Sequence, residues 1–169
     1  MKTRKIILTI SIALSFHLSS NAQGKRNELP FDTVKNKVAW VGEIAINGGI
    51  SKKEAMINIV QWAYKNSFKI ETENDEAGIL VLVASIMYGN HKVVESSEKL
   101  RKAPFKIFFV FSDKSISYRI TDMSVSKYPI EIRYEYYKKR PAMGYHYAFI
   151  DINKRINELI VDFTKVNNK

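Results

Sequence analysis

No cysteine occurs in the 169 residues. That absence removes a disulfide scaffold, a thiolate metal site and a lipid attached through an N-terminal cysteine. The short motifs that announce chemistry are missing as well: there is no G-x-S-x-G elbow, no glycine-rich phosphate loop and no H-E-x-x-H. Histidine is scarce, with only His17, His91 and His146: His17 falls in the N-terminal segment expected to be removed, and His91 and His146 lie far apart, each a conceivable base that reads rather as polar surface. A membrane-spanning helix needs about 20 apolar residues in a row. The N-terminal apolar run, from Ile6 to Leu14, is interrupted by Thr9 and Ser11 and closes at Ser15, Phe16 and His17, and no other segment is long enough. No transmembrane segment is therefore expected in the mature chain. Catalytic, cofactor-binding and metal-binding residues are all left unassigned.

One cluster tests that conclusion. Glu71, Glu73, Asp75 and Glu76 crowd six positions, and calcium favours several oxygen ligands. Their spacing matches no EF-hand loop and no distant motif closes the ring, so they read as a solvated turn. Glycoside hydrolysis needs two carboxyl groups set across a cleft at a fixed separation. Neighbours on one turn do not supply that.

The beginning of the chain is more informative. Lys2, Arg4 and Lys5 precede the apolar run, and Ser20-Asn21-Ala22 supplies small residues before Gln23. This is the layout of a secretory signal peptide over 1–22, cut between Ala22 and Gln23. The expected product is exported, periplasmic or secreted, and not a lipoprotein. Cleavage removes three basic residues and no acidic one, lowering the net charge from +10 to +7. A basic exported protein favours anionic lipid or polysaccharide, or an envelope protein, as partner. Nucleic acid is not expected in that compartment.

Residues 23–37 mix Gly, Asn, Pro and charge without period and read as a tether, with Leu29-Pro30-Phe31 its first docked point. A single domain spans 38–166. A strand rich in β-branched residues runs over 38–46, with Val38, Trp40, Ile44 and Ile46 on one face. Ser51 and Glu54 then form a capping box. The following helix, to about Asn66, buries Met56, Ile59, Val60 and Ala63 at helical spacing. A short strand covers 68–72. Another, 79–88, is apolar on both faces, since Leu80, Leu82, Ala84 and Ile86 alternate with Ile79, Val81, Val83 and Met87. The connection 89–102 is charged, with room for a helical turn at 96–100. The stretch 105–126 reads as a hairpin at the middle of an antiparallel sheet, again apolar on both faces: Phe105, Ile107, Phe109 and Phe111 against Phe108 and Val110.

Residues 128–140 alternate poorly, and place Tyr134, Tyr136 and Tyr137 beside Lys138, Lys139 and Arg140. They read as an edge strand whose basic end discourages pairing, or as a candidate surface for a polyanion or glycan. From about Tyr147 a last helix repeats Phe149, Ile152, Ile156, Leu159, Ile160 and Phe163 at three or four.

The segments Leu29-Pro30-Phe31, Lys37-Val38-Ala39-Trp40, Gly49-Ile50-Ser51-Lys52-Lys53-Glu54, Glu76-Ala77-Gly78 and Tyr118-Arg119-Ile120-Thr121-Asp122, in this order of elements, resemble a bacterial domain-of-unknown-function family with a TATA-binding-protein-like (TBP-like) fold. The resemblance implies an α+β, β-α-β4-α layout with two helices on one face of a curved antiparallel sheet. It carries over no catalytic residue, cofactor or metal, and fold alone does not imply DNA binding. Two functions follow as expectations: a non-catalytic envelope module that binds a partner through the sheet face away from the helices, or a hydrolase or other enzyme whose site is assembled from scattered polar residues. A large apolar patch seldom stands in water, so that second face needs a cover: the chain's own 128–140 segment, a second copy in a homodimer, or a partner.

Overall fold

The computed structural model describes residues 29–32, 35–46, 49–89, 101–141 and 143–166. The two longest strands, β5 (Ile79–Tyr88) and β6 (Arg101–Phe111), pair antiparallel along ten residues and form the centre of the sheet. β7 (Ser115–Thr121) returns from β6 through the turn at Ser112, whose hydroxyl donates to the carbonyl oxygen of Ser115 and accepts from the Ser115 N–H. With β3 (Trp40–Ala45) and β4 (Lys69–Asn74) the sheet has the order β3-β7-β6-β5-β4, every described neighbour antiparallel. Pro104 lies inside β6 rather than at its start, opposite Ser85. Its missing N–H costs no sheet bond, because pairing with β7 begins only at Lys106.

Helix α1 (Lys52–Lys65) starts where the capping box places it. The Ser51 hydroxyl accepts from the Glu54 N–H, and the Glu54 carboxylate accepts from the Ser51 N–H at 2.7 Å. These bonds hold the Glu54 carboxyl below the ordinary carboxylate range. The helix buries Ala55, Met56, Ile59, Trp62 and Ala63 and ends at Asn66. The final helix, α3 (Met143–Val166), begins four residues before the expected Tyr147, just beyond Pro141. It presses Phe149, Ile152, Ile156 and Phe163 into the same core as α1. Phe163 packs edge-on to Trp62, Phe109 and Tyr118 at 5.0–5.5 Å. Gly42 on β3 faces Tyr118, and a side chain there would collide with the phenol ring. Gly78 opens β5 at φ +65°, against the backbone of Phe111, a conformation and a proximity that suit glycine.

Two regions differ from the sequence expectation. Residues 128–140 are not an edge strand: β9 (Tyr128–Pro129) pairs with β8 (Ser124–Val125), and α2 (Ile130–Lys139) follows at once. Ile130, Tyr134 and Tyr137 recur at four and three residues, which turns one helical face onto α3. The layout is therefore β-α-β4-α with a third helix inserted before the last. The stretch read as a tether holds a hairpin next to its expected docking point at Leu29-Pro30-Phe31. Leu29 is buried, and β1 (Phe31–Asp32) pairs with β2 (Lys37–Val38) as a small hairpin on the domain. The proposed helical turn at 96–100, the signal peptide and the cleavage point all lie outside the described residues.

Candidate binding surface

The helices bury one face of the sheet and leave the other open. On the open face the strand register aligns Ile79 with Val110, Val81 with Phe108, and Val83 with Lys106. The next strand adds Ser117 beside Val110 and Arg119 beside Phe108, and β3 adds Val41 beside Arg119. Val110 is 51% exposed, Val41 60% and Ile79 37%, while Phe108 and Val83 are half-buried. Val81, opposite Phe108, is buried. The open face thus has an apolar centre that no described helix covers.

Its rim carries charges of both signs, ordered by ion pairs. Lys106 Nζ reaches both oxygens of Glu71, at 2.8 and 2.7 Å. Glu71 occupies the β-bulge between Ile70 and Thr72, where the extra residue aims its side chain. Arg119 Nη1 meets Asp32 Oδ2 at 2.8 Å, and Lys37 Nζ meets Asp122 Oδ1 at 2.6 Å. The Asp122 hydrogen bond and charge raise the Lys37 pKa above its ordinary value. These pairs hold the β1–β2 hairpin against the sheet. Between them lies a depression of about 450 Å³, with Phe108 and Val110 beside Lys35, Lys37 and Arg119. Arg119 Nη2 is buried there without a hydrogen-bond partner.

The aromatic and basic residues of 134–140 divide. Tyr134 is buried, its ring 5.5 Å from that of Phe149. Tyr137 also faces α3 and shares a 2.6 Å hydrogen bond with His146 Nδ1. Lys138 pairs with Glu135 at 3.0 Å and lies 4.9 Å from the Tyr134 ring. Tyr136, Lys139 and Arg140 stay exposed, on one side of the helix by their spacing. The six residues do not form one stacking surface, because the helix sends two of the tyrosines inward. α2 packs on α3 and on β2, where Glu131 accepts the Val38 N–H at 3.0 Å. The 128–140 segment consequently does not cover the open sheet face.

Among the described residues, no group of three histidine or carboxylate side chains is placed to hold a metal ion, and no helix is long and apolar enough to cross a membrane. Glu71, Glu73, Asp75 and Glu76 separate, Glu71 pairing with Lys106 while the other three stand at the end of β4 and its turn. Asp151 was not singled out by sequence. It is buried on α3, accepts the Gly89 N–H and Arg155 Nε at 3.0 Å each, and so fixes the exit of β5.

No family model matches the chain, and no curated protein does. Its architecture is similar to the crystal structure of a DUF4468 family protein from Bacteroides ovatus, with a TM-score of 0.65 over 83% of this chain and 91% of that one, at 12% identity. It is similar also to a TBP-like protein from Parabacteroides distasonis, with a TM-score of 0.59 over 79% and 94% of the two chains, at 15% identity. At such identities the likeness shows the fold, which is α+β and TBP-like, as the quoted sequence segments implied.

Proposed function

We propose that this chain is an exported, non-catalytic module of the cell envelope that holds a partner protein on the sheet face opposite the helices. One observation supports it above others: Ile79 and Val110 stand exposed around Phe108, with no described element over them. The patch favours a partner whose contact surface has an apolar centre and a polar margin, since on the rim Lys37, Lys106 and Arg119 are already paired with Asp122, Glu71 and Asp32. Interfaces of this kind have apolar cores and polar rims. The proposed compartment rests on the basic start, the apolar run and the Ala22–Gln23 junction.

The test is capture from the exported fraction with the wild type and with Val110→Glu, followed by light scattering. A protein retained by the wild type and lost with the variant supports the reading. A partner held equally by both overturns it. Concentration-dependent dimers abolished by Val110→Glu would assign the face to a second copy instead. Sedimentation with anionic vesicles that survives Val110→Glu but is lost on charge reversal at Lys138, Lys139 and Arg140 would move the ligand to the end of α2 and likewise overturn it. Mass spectrometry of the exported protein should find Gln23 at its N-terminus, and an intact Met1 would refute the proposed export.

A further inference from the structure

The core-facing stripe of α1 is accompanied by a second apolar one. Ile57, Val60 and Tyr64 fall at i, i+3 and i+7, so they share a side of the helix. Ile57 is 44% exposed and Tyr64 66%, more than core packing accounts for. With Lys53 and Met56 they form one wall of a groove of about 650 Å³. From Lys53 to Tyr64 that wall extends about 16 Å, or roughly three turns of helix.

The facing wall is acidic, and the path of the chain explains why. The chain reverses over 66–68, so β4 runs back along α1. Its turn into β5 comes beside the start of the helix, where Lys52 Nζ donates to the Glu76 main-chain oxygen at 3.2 Å. Glu73 is in register with the fully buried Leu80, which places its side chain on the helix-covered face of the sheet. Asp75 and Glu76 follow on the turn. The Phe111 N–H donates to the Gly78 oxygen at 2.8 Å and so brings the β6–β7 turn, with Asp113, alongside them. All four carboxylates are exposed, and none has an ion pair or hydrogen bond among the described residues. The lining carries these four acidic side chains against two basic ones, Lys52 and Lys53. On a chain of net charge +10, the groove is a local concentration of negative charge.

The apolar and acidic walls therefore lie on the same side of the sheet and face each other across the groove. An extended strand sends successive side chains to opposite sides and cannot serve both walls. An α-helix carries adjacent stripes of different character along its length, and can. A single exposed ion pair contributes little, so a ligand with one positive charge gains too little from carboxylates spread over β4 and two turns.

We propose that this groove takes an amphipathic helix of a partner protein, with aliphatic side chains in one stripe and lysine or arginine along its flank. The aliphatic stripe packs on Ile57, Val60 and Tyr64, ridge into groove beside α1. The cations face Glu73, Asp75, Glu76 and Asp113. The site lies on the helix-covered side of the sheet and does not rest on the partner proposed for the open face.

The experiment is fluorescence anisotropy on the full chain, with a labelled helical peptide of about five turns. The peptide has leucine at every third or fourth position, lysine along one flank of that stripe and alanine elsewhere. Glu73→Lys/Glu76→Lys should weaken binding by about tenfold or more at low salt and by less at high salt, because screening removes contacts between exposed charges. Ile57→Gln/Tyr64→Gln should weaken it at both salt concentrations, and serves if the charge-reversed protein folds poorly. The same peptide with two central prolines, which break the helix, should bind far more weakly, as should one with glutamate in place of lysine. Val110→Glu, on the other face of the sheet, should leave peptide binding unchanged. Absence of binding by the wild type, equal affinity of either double variant, equal affinity of the proline or glutamate peptide, or loss of binding with Val110→Glu would each overturn the proposal.

Discussion

Phe108 and Phe109 are adjacent in the chain and opposite in circumstance. Phe109 is completely buried, packed on Phe111 and Phe163, whereas Phe108 lies half-buried on a face that no described helix crosses. Both sit in one strand, and both faces of that strand are apolar. The difference teaches that apolar alternation marks a surface unsuited to water, while the stripes of the helices decide which surface they cover. Here α1 and α3 supply side chains to one side only, and no described helix covers the other.

The largest expected effect sharpens this contrast. Phe109→Ala should cost about 3–5 kcal/mol, the usual range for an aromatic removed from a core, whereas Phe108→Ala should cost less than half of that in the same urea titration. Equal losses would mean that the open face is as firmly packed as the core. Next come two valines of the open face. Val81→Lys buries a charge and should destabilise by about 1–3 kcal/mol, while Val110→Lys should stay within about 0.5 kcal/mol. If both are silent, the patch around Val81 is wetter than its burial indicates.

A smaller effect concerns the helix that closes the buried face. Ser51→Ala should cost about 1 kcal/mol through the lost cap, and coincident urea melts would place the start of α1 elsewhere. The effect should depend on pH with a definite sign. The folded-state pKa of Glu54 is lowered, so its contribution is present above the unfolded carboxylate pKa and is lost as the pH falls through the folded value. The gap between wild type and Ser51→Ala should therefore narrow in acid, and a constant gap would show that the carboxylate takes no part. Last, Glu71→Ala on the rim of the open face should cost about 0–1 kcal/mol and less at high salt, since the Lys106 pair is largely exposed. A larger loss would indicate that the bulge itself depends on the pair.

Much of the architecture was legible because its signals are local. The Ser51–Glu54 box, the double-sided apolar strands and the spacing of Phe149 to Phe163 each state their element within a few residues. α2 was missed for a local reason too. Ile, Tyr and Arg in its first turns suit a strand as well as a helix, and Pro129 at the cap provides no side-chain hydrogen bond to announce a start. The β8–β9 turn was hidden because Ser126 and Lys127 both adopt positive φ, where Asn-Gly would be the recognisable choice. The surfaces were harder to read. Arg119 and Asp32 are 87 residues apart in the chain, and the acidic groove assembles one helix and two separate turns. The carboxylates of 73–76 were visible in the sequence as a cluster, but nothing local announced that α1 and Asp113 lie beside them.

Both tryptophans of the protein donate their indole N–H to the same helix. Trp40 on β3 reaches Asn153 Oδ1 at 2.8 Å, and Trp62 on α1 reaches Asp162 Oδ2 at 2.7 Å. α3 is the last of the described elements to be synthesised. While the ribosome still holds it, both indoles lack those acceptors and the Phe109 side of the sheet lacks the Phe163 ring. The five strands can pair during translation, but the buried layer closes only once residues 143–166 have emerged. Because the two fluorophores report on one event, tryptophan emission from nascent chains of increasing length should shift in a single step as α3 docks.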